Sequence, residues 1–238
     1  MTMSFVRAIV LGATAAFLAG CGGGGDGGVV LSGGATVFPL RAGYQARLKA
    51  GAVDNYTVSG GCVGTATTTA SAAMNATFEG VAGFAVLQMV IANTTCLPGM
   101  VGKSITSFFD ANYAPLGFST PNGAYEKLLT LPQSFPAGVK VDDSAVLATL
   151  TEYADNTQAT VTGRSDMSYV VERDTANTAN ATNTAIVNVI SKNYNAAGEL
   201  LLTVQNRYRI TADGTLASTT IDMEYSNTNK TRLLLTKL

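Results

Sequence analysis

Two stretches in the second half of the chain alternate with a period of two. Val161, Gly163, Ser165, Met167, Tyr169 and Val171 alternate with Thr162, Arg164, Asp166, Ser168, Val170 and Glu172. Leu200, Leu202, Val204, Asn206, Tyr208 and Ile210 alternate with Leu201, Thr203, Gln205, Arg207, Arg209 and Thr211. Successive side chains of a strand point to opposite faces, so this pattern predicts strands with one face on a core and the other in water. Asp213-Gly214 is a strong hairpin signal and Ala197-Gly198 a weaker one. With Ala185 to Tyr194 before these turns and Leu216 to Tyr225 after them, the region reads as an antiparallel meander closed by Arg232 to Leu235. The polar run DTANTANATNT, Asp174 to Thr184, reads as an exposed loop.

The first half carries shorter signals. Tyr56 to Ser59, Val63 to Thr69, Thr77 to Phe78 and Phe84 to Thr95 are β-branched or apolar runs cut by glycine. Within the last, FAVLQMVIA (Phe84 to Ala92) is too continuous for a strand with one wet face, and predicts burial on both sides or the lining of a pocket. A single helix is predicted over Pro39 to Ala50. Leu40, Tyr44 and Leu48 fall on one face, proline stands at its start and Gly51 just past its end. The fold class expected is all-β, an antiparallel meander forming a sandwich or partly open barrel, with one short N-terminal helix covering an end or face.

Composition removes most chemistry. The chain has no histidine and no tryptophan, and only 13% of its residues are charged, against about 25% in typical globular proteins. Without histidine, Ser-His-Asp and Cys-His catalysis cannot operate and zinc sites lose their commonest ligand. No catalytic constellation, cofactor or metal site is expected. Gly102-Lys103-Ser104 ends like a phosphate-binding loop, but Leu97 stands where that loop needs glycine. Asp142-Asp143 and the Glu172/Asp174 pair could in principle serve glycoside hydrolysis, and read instead as solvated acids on turns and strand ends. Tyr113, Tyr125, Tyr153 and Tyr169 could stack on sugars or bind acyl chains, although packing within the sheet is the more ordinary use of such residues.

The N-terminus supplies an address. Arg7 precedes a small and apolar run from Ala8 to Phe17, followed by Leu18-Ala19-Gly20-Cys21 and then glycines. This is the layout of a secretory signal peptide, and it is too short for a membrane span, which needs roughly 20 apolar residues. LAGC resembles the lipobox of bacterial lipoproteins. The resemblance implies cleavage before Cys21, a lipid on its sulfur and, with Gly22 rather than aspartate next, residence at the outer membrane. The chain then divides into residues 1–20 (signal peptide), 21–35 (lipidated cysteine and flexible glycine-rich tether) and 36–238 (a single β-rich domain).

Removing residues 1–20 deletes only Arg7 from the charged set, so 15 basic residues become 14 against 16 acidic ones. This near-neutral balance provides no long-range field for nucleic acid. Cys62 and Cys96 remain as an even pair in an oxidising compartment and read as one disulfide. Closing a loop of about 33 residues would stabilise the fold by roughly 3 to 4 kcal/mol.

NYTVSGGCVG (Asn55 to Gly64), NYAPLG (Asn112 to Gly117) and YRITADGTL (Tyr208 to Leu216) are similar to stretches of a group of uncharacterised β-rich lipoproteins of proteobacteria. That resemblance implies a scaffold and no activity. The expected role is a lipid-anchored, non-enzymatic binding or structural module that meets an envelope protein or glycan. The alternatives are a periplasmic carrier of lipid or another apolar ligand, and a carboxylate-based hydrolase if two acids converge in a cleft.

Overall fold

The structure, a computed structural model, describes residues 36–95, 103–121, 123–129, 133–176, 183–226 and 231–238. They contain one helix, α1 (Leu40–Ala50), followed by β1 (Ala52–Gly60), β2 (Gly64–Ala70), β3 (Met74–Phe78), β4 (Val81–Thr94), β5 (Lys103–Asp110), β6 (Pro115–Ser119) and β7 (Tyr125–Leu128). Then come β8 (Ser144–Tyr153), β9 (Val161–Arg173), β10 (Thr184–Asn195), β11 (Leu200–Thr211), β12 (Leu216–Tyr225) and β13 (Arg232–Lys237).

From β4 to β13 every strand pairs antiparallel with the next in the chain. The two ends of this meander are joined by β1 and β2. Tyr56 to Gly60 of β1 lie opposite Lys237 to Leu233 of β13, and Gly64 to Ala70 of β2 lie opposite Thr94 to Gln88 of β4. The result is a closed antiparallel barrel of 12 strands, so of the two architectures open to the sequence the barrel forms, and it forms without a gap. Closure leaves the paired strands no free edge. β3 stands outside the ring, pairing with the first residues of β4 from Met74–Ala85 to Phe78–Val81.

The alternation read in β9 and β11 separates inside from outside. Gly163, Ser165, Met167, Tyr169 and Val171, and Leu202, Val204, Asn206, Tyr208 and Ile210, are the buried positions of their strands. FAVLQMVIA follows the same rule, contrary to its continuous apolar look. Val86, Gln88, Val90 and Ala92 are buried, while Leu87 and Ile91 are 42% and 44% exposed on the outer face. The interior is filled by side chains. Leu40, Tyr44 and Leu48 of α1 pack with Phe109, Phe135 and Tyr169, and a second apolar group gathers Tyr56, Val58, Leu202, Val204, Met223 and Leu235.

α1 runs from Leu40, one residue inside its predicted start, and stoppers one mouth. Its approach to the β11–β12 turn is backbone on backbone: a Cβ on Gly43 would sit 2.2 Å from the Gly214 carbonyl oxygen. Phe38 and Val139 exchange two backbone hydrogen bonds of 2.8 and 2.9 Å, and Ala73 N–H donates to the Leu48 carbonyl at 2.9 Å. Arg41 Nε donates to the Phe135 carbonyl at 2.5 Å. Burying each large apolar side chain of the helix contributes on the order of 1.5–3 kcal/mol.

At the outer wall the β3–β4 hairpin folds over the sheet. The Phe78 ring stacks on Phe108 at 4.5 Å and on Tyr125 at 5.3 Å, above Gly117, whose missing side chain makes the room: a Cβ there would meet the ring at 2.7 Å. A register shift between Phe108 and Phe109 accompanies this contact, and Leu116 joins the aromatic group. The rest of the outer wall is divided. From β9 to β13 it carries ion pairs, Arg164–Asp166 at 3.2 Å, Arg207–Glu172 at 3.4 Å and Arg232–Asp222 at 2.6 Å. Across β1, β2, β4 and β5 the exposed and half-buried positions include Val53, Thr57, Thr65, Leu87, Ile91 and Thr106.

Candidate functional site

Beneath α1 lies a cavity of about 50 Å³ lined by Tyr44 and Arg47 of the helix and by Asp54, Tyr56, Thr68, Gln88, Tyr208 and Ser218 of the barrel. The local patterns account for the lining. Tyr44 and Arg47 lie one turn apart on the helix. Asp54 and Tyr56, two residues apart on β1, share its inward face, as Gln88 and Tyr208 do on β4 and β11.

Asp54 is held by two cations. Arg47 Nη2 and Lys237 Nζ each lie 2.5 Å from one of its oxygens, and its side chain is 4% exposed. Burial pushes its pKa up, but hydrogen bonds and charge from Lys237 and Arg47 outweigh it and hold the carboxyl below its ordinary value. Arg47 also lies 5.5 Å over the Tyr208 ring. Burial, which foremost depresses its pKa, is outweighed by Tyr208 and Asp54, so the guanidinium remains charged. Burial is likewise the main cause that raises the Tyr44 and Tyr208 phenols above their usual range, which keeps both as neutral donors. Tyr56 Oη and Ser218 Oγ share a hydrogen bond of 2.7 Å. Gln88 is 7% exposed, and its Oε1 has no hydrogen-bond partner among the described residues.

A second polar group sits inside the wall formed by β7 to β10. Glu126 and Glu152 are direct partners across β7 and β8, 0% and 5% exposed. Ser165 Oγ lies 3.2 Å from Glu126 Oε2 and 2.8 Å from Asn193 Oδ1. Thr162 Oγ1 donates to Glu152 Oε1 at 2.7 Å. Sequence reasoning missed this pair, because neither glutamate stands in a motif. The available signal was the period-2 phase of β8, which places Glu152 on the face of Leu150. The acids converge, but within a packed wall rather than in a cleft.

The tyrosines singled out from the sequence pack instead. Tyr113, Tyr125 and Tyr169 are 6%, 7% and 4% exposed, and Tyr113 stacks on Phe84 at 4.5 Å. Asp142 occupies a turn with φ of 75°, and Asp143 Oδ2 accepts from the Lys140 N–H at 2.7 Å. Glu172 pairs with Arg207 and Asp174 with Arg209, so the two acids serve separate ion pairs. Lys103 and Ser104 open β5 and so lie in a strand rather than a phosphate-binding loop. Gly102, Leu97, Cys21 and Cys96 lie outside the described residues. Cys62 is 6% exposed, just after β1. Among the described residues no group of three or more His, Cys, Asp or Glu gathers around a common point.

No protein family, curated protein or solved structure matches the chain. What its fold and lining residues define is a helix-stoppered closed antiparallel barrel with a small, mostly apolar cavity at the stoppered mouth, which Leu48, Ala52, Ala70, Met89 and Ile221 line beside the tyrosines and the Arg47–Asp54 pair.

Proposed function

We propose that this protein is a lipid-anchored module of the bacterial cell envelope that works by binding rather than by catalysis, held at the outer membrane through Cys21. The observation that carries the binding reading is the packed interior. A ligand pocket for a lipid-sized molecule occupies about 300–1,000 Å³, whereas the cavity beneath α1 is about 50 Å³. A larger hollow of about 470 Å³ beside Asn75, Thr77 and Phe84 is an open surface groove at the β3–β4 hairpin, so among the described residues the carrier alternative finds no enclosed chamber of that size beneath α1, and α1 would have to leave the mouth to make one. The hydrolase alternative lacks a cleft at Glu126 and Glu152.

The address rests on LAGC and the glycines that follow it. A barrel whose outer wall bears charges such as Arg164, Glu172 and Arg207 suits water, because a lipid-facing charge is costly at the bilayer midplane. Tethering by acyl chains on Cys21 reconciles that wall with a membrane address. The uncharged outer residues of β1, β2, β4 and β5 are the surface offered to an envelope protein or glycan.

A bridge between Cys62 and Cys96 belongs to the same reading. The Thr95 N–H donates to the Val63 carbonyl at 3.1 Å, so the chain just after Cys62 and just before Cys96 is paired. The test of the proposal is labelling of the full chain with radioactive palmitate in a Gram-negative host, followed by membrane fractionation. Label and outer-membrane location should both disappear in Cys21→Ser, and label that survives this substitution would refute the anchor.

A further inference from the structure

Every strand of the ring has a neighbour on both sides, and among the described residues β3 alone has one on a single side. The turn that joins it to β4 sets which of its backbone groups are free. Glu79 and Gly80 connect the directly opposed Phe78 and Val81 with φ of 49° and 80°, the two positive values of a type I′ hairpin. The pair flanking such a turn is hydrogen-bonded. By alternation Ala76–Gly83 and Met74–Ala85 are bonded too, and the N–H and C=O of Asn75 and Thr77 point away from β4. No other backbone bond reaches Asn75 or Thr77 among the described residues. The edge is also accessible. Met74, Asn75 and Thr77 are exposed, a Cβ on Gly80 would meet nothing within 4 Å, and the open groove of about 470 Å³ lies along Asn75 and Thr77.

Edges of this kind are ordinarily guarded by lysine, proline or a bulge, whereas Met-Asn-Ala-Thr-Phe carries no charge and no proline. We propose that β3 pairs antiparallel with β3 of a second copy, about a two-fold axis at Ala76. A strand with only two outward-facing backbone units is matched by one with the same two, and β3 is itself such a strand. Asn75 lies opposite the second copy's Thr77 and Thr77 opposite its Asn75, and each pair exchanges two hydrogen bonds. The neighbouring registers fail. An axis at Asn75 sets Thr77 against Ala73, whose N–H already goes to the Leu48 carbonyl at 2.9 Å, and an axis at Thr77 sets Asn75 against Glu79 in the turn. Ala76 is small enough for the close position on the axis, where Cα atoms approach to about 4.5 Å. Met74, 56% exposed, comes beside the second copy's Phe78, a sulfur–aromatic pairing. Without charge on either edge, identical strands meet without repulsion. A five-residue edge falls short of the roughly 800 Å² per partner of a stable interface, so the dimer is weak and reversible. It stands apart from the anchor and from any envelope partner.

The test is sedimentation equilibrium of the purified full chain in a neutral detergent, from micromolar to millimolar concentration. The parent should pass reversibly from monomer to dimer. Thr77→Pro removes an N–H that faces away from β4, a place where an edge strand tolerates proline. By symmetry it deletes two of the four bonds, so association should weaken about tenfold or more. Ala76→Lys leaves the backbone intact and sets two cations opposite each other on the axis, and should also weaken it. Cross-linking reads the register. Mild oxidation should link Ala76→Cys into a dimer that reductant reverses, whereas Met74→Cys, displaced from the axis in both copies, should link at least about fivefold more slowly. The parent, with its own three cysteines, sets the baseline.

A parent that stays monomeric at millimolar concentration, a dimer whose affinity survives both Thr77→Pro and Ala76→Lys, or equally fast linking through Met74→Cys and Ala76→Cys would each overturn the assignment. Should either variant lower the urea midpoint, the cross-linking comparison decides alone. Palmitate labelling at Cys21 plays no part in these readings, so a failed dimer leaves the anchor standing and a failed anchor leaves the dimer standing.

Discussion

Glu126 and Glu152 face each other across β7 and β8 inside the barrel wall, the first inaccessible to solvent and the second 5% exposed. Side chains so paired have Cβ atoms about 4.5–5.5 Å apart, and like charges there repel. Hydroxyl and amide groups surround both acids. Ser165 Oγ lies 2.8 Å from Asn193 Oδ1 and 3.2 Å from Glu126 Oε2, Asn193 Nδ2 donates to the Leu202 carbonyl at 3.4 Å, and Thr162 donates to Glu152 Oε1 at 2.7 Å.

Glu126→Gln keeps the volume and a hydrogen-bonding group toward Ser165. It should therefore leave stability within about 1 kcal/mol of the parent, whereas Glu126→Ala should cost roughly 2–4 kcal/mol by opening a cavity in the wall. Urea denaturation at neutral pH compares the two, and equal losses would reject this packing and hydrogen-bonding role.

The close approach of Gly43 to Gly214 makes the position of α1 testable. Gly43→Ala places a methyl carbon 2.2 Å from a carbonyl oxygen, and neither backbone is free to give way. A loss of roughly 2–3 kcal/mol in urea is expected, against about 0.5 kcal/mol or less for the exposed control Ala46→Ser. Limited proteolysis should show earlier cleavage near α1 in Gly43→Ala alone.

Glu79 clasps the hairpin to the wall and makes part of the stability depend on pH. It accepts from Lys127 Nζ at 2.8 Å and from Gln158 Nε2 at 3.1 Å, and from the Tyr125 hydroxyl. Lys127 foremost, with Tyr125 and Gln158, lowers its pKa to about 2. Because the folded value is depressed, the contribution is complete above the unfolded carboxyl value of roughly 4.3 and is lost as pH falls through the folded one. With a side chain 33% exposed, its net worth at neutral pH is about 1 kcal/mol or less. The denaturation midpoint of the parent should fall between pH 5 and about 2 by more than that of Glu79→Gln. Parallel profiles would remove Glu79 from the clasp.

The proposed bridge predicts that alkylation without reductant adds no mass at Cys62 or Cys96, and that reduction costs roughly 3 to 4 kcal/mol. Labelling of both thiols in the unreduced protein would dismiss it.

Much of the local structure was legible in the residues. The period of two in β9 and β11 marked which side chains point inward, Leu40, Tyr44 and Leu48 marked the buried face of α1, and Asp213-Gly214 marked its turn, with Gly214 at φ of 90°. These features depend on neighbours a few positions apart, so the chain by itself determines them, together with the absence of histidine.

Closure was not legible, because it depends on partners such as Asp54 and Lys237, which are 183 residues apart, and on the register of every strand between them. The same holds for the facing of Glu126 and Glu152, the seat of Phe78 on Gly117, and the meeting of Gln88, Arg47 and Tyr208 around one cavity. FAVLQMVIA shows the difference most plainly. Its composition says only that it is apolar, and the wall it joins decides that Leu87 and Ile91 face outward while Gln88 turns inward. Hydrophobic pattern is a local property of the chain, whereas register and closure arise only when all the strands pair at once.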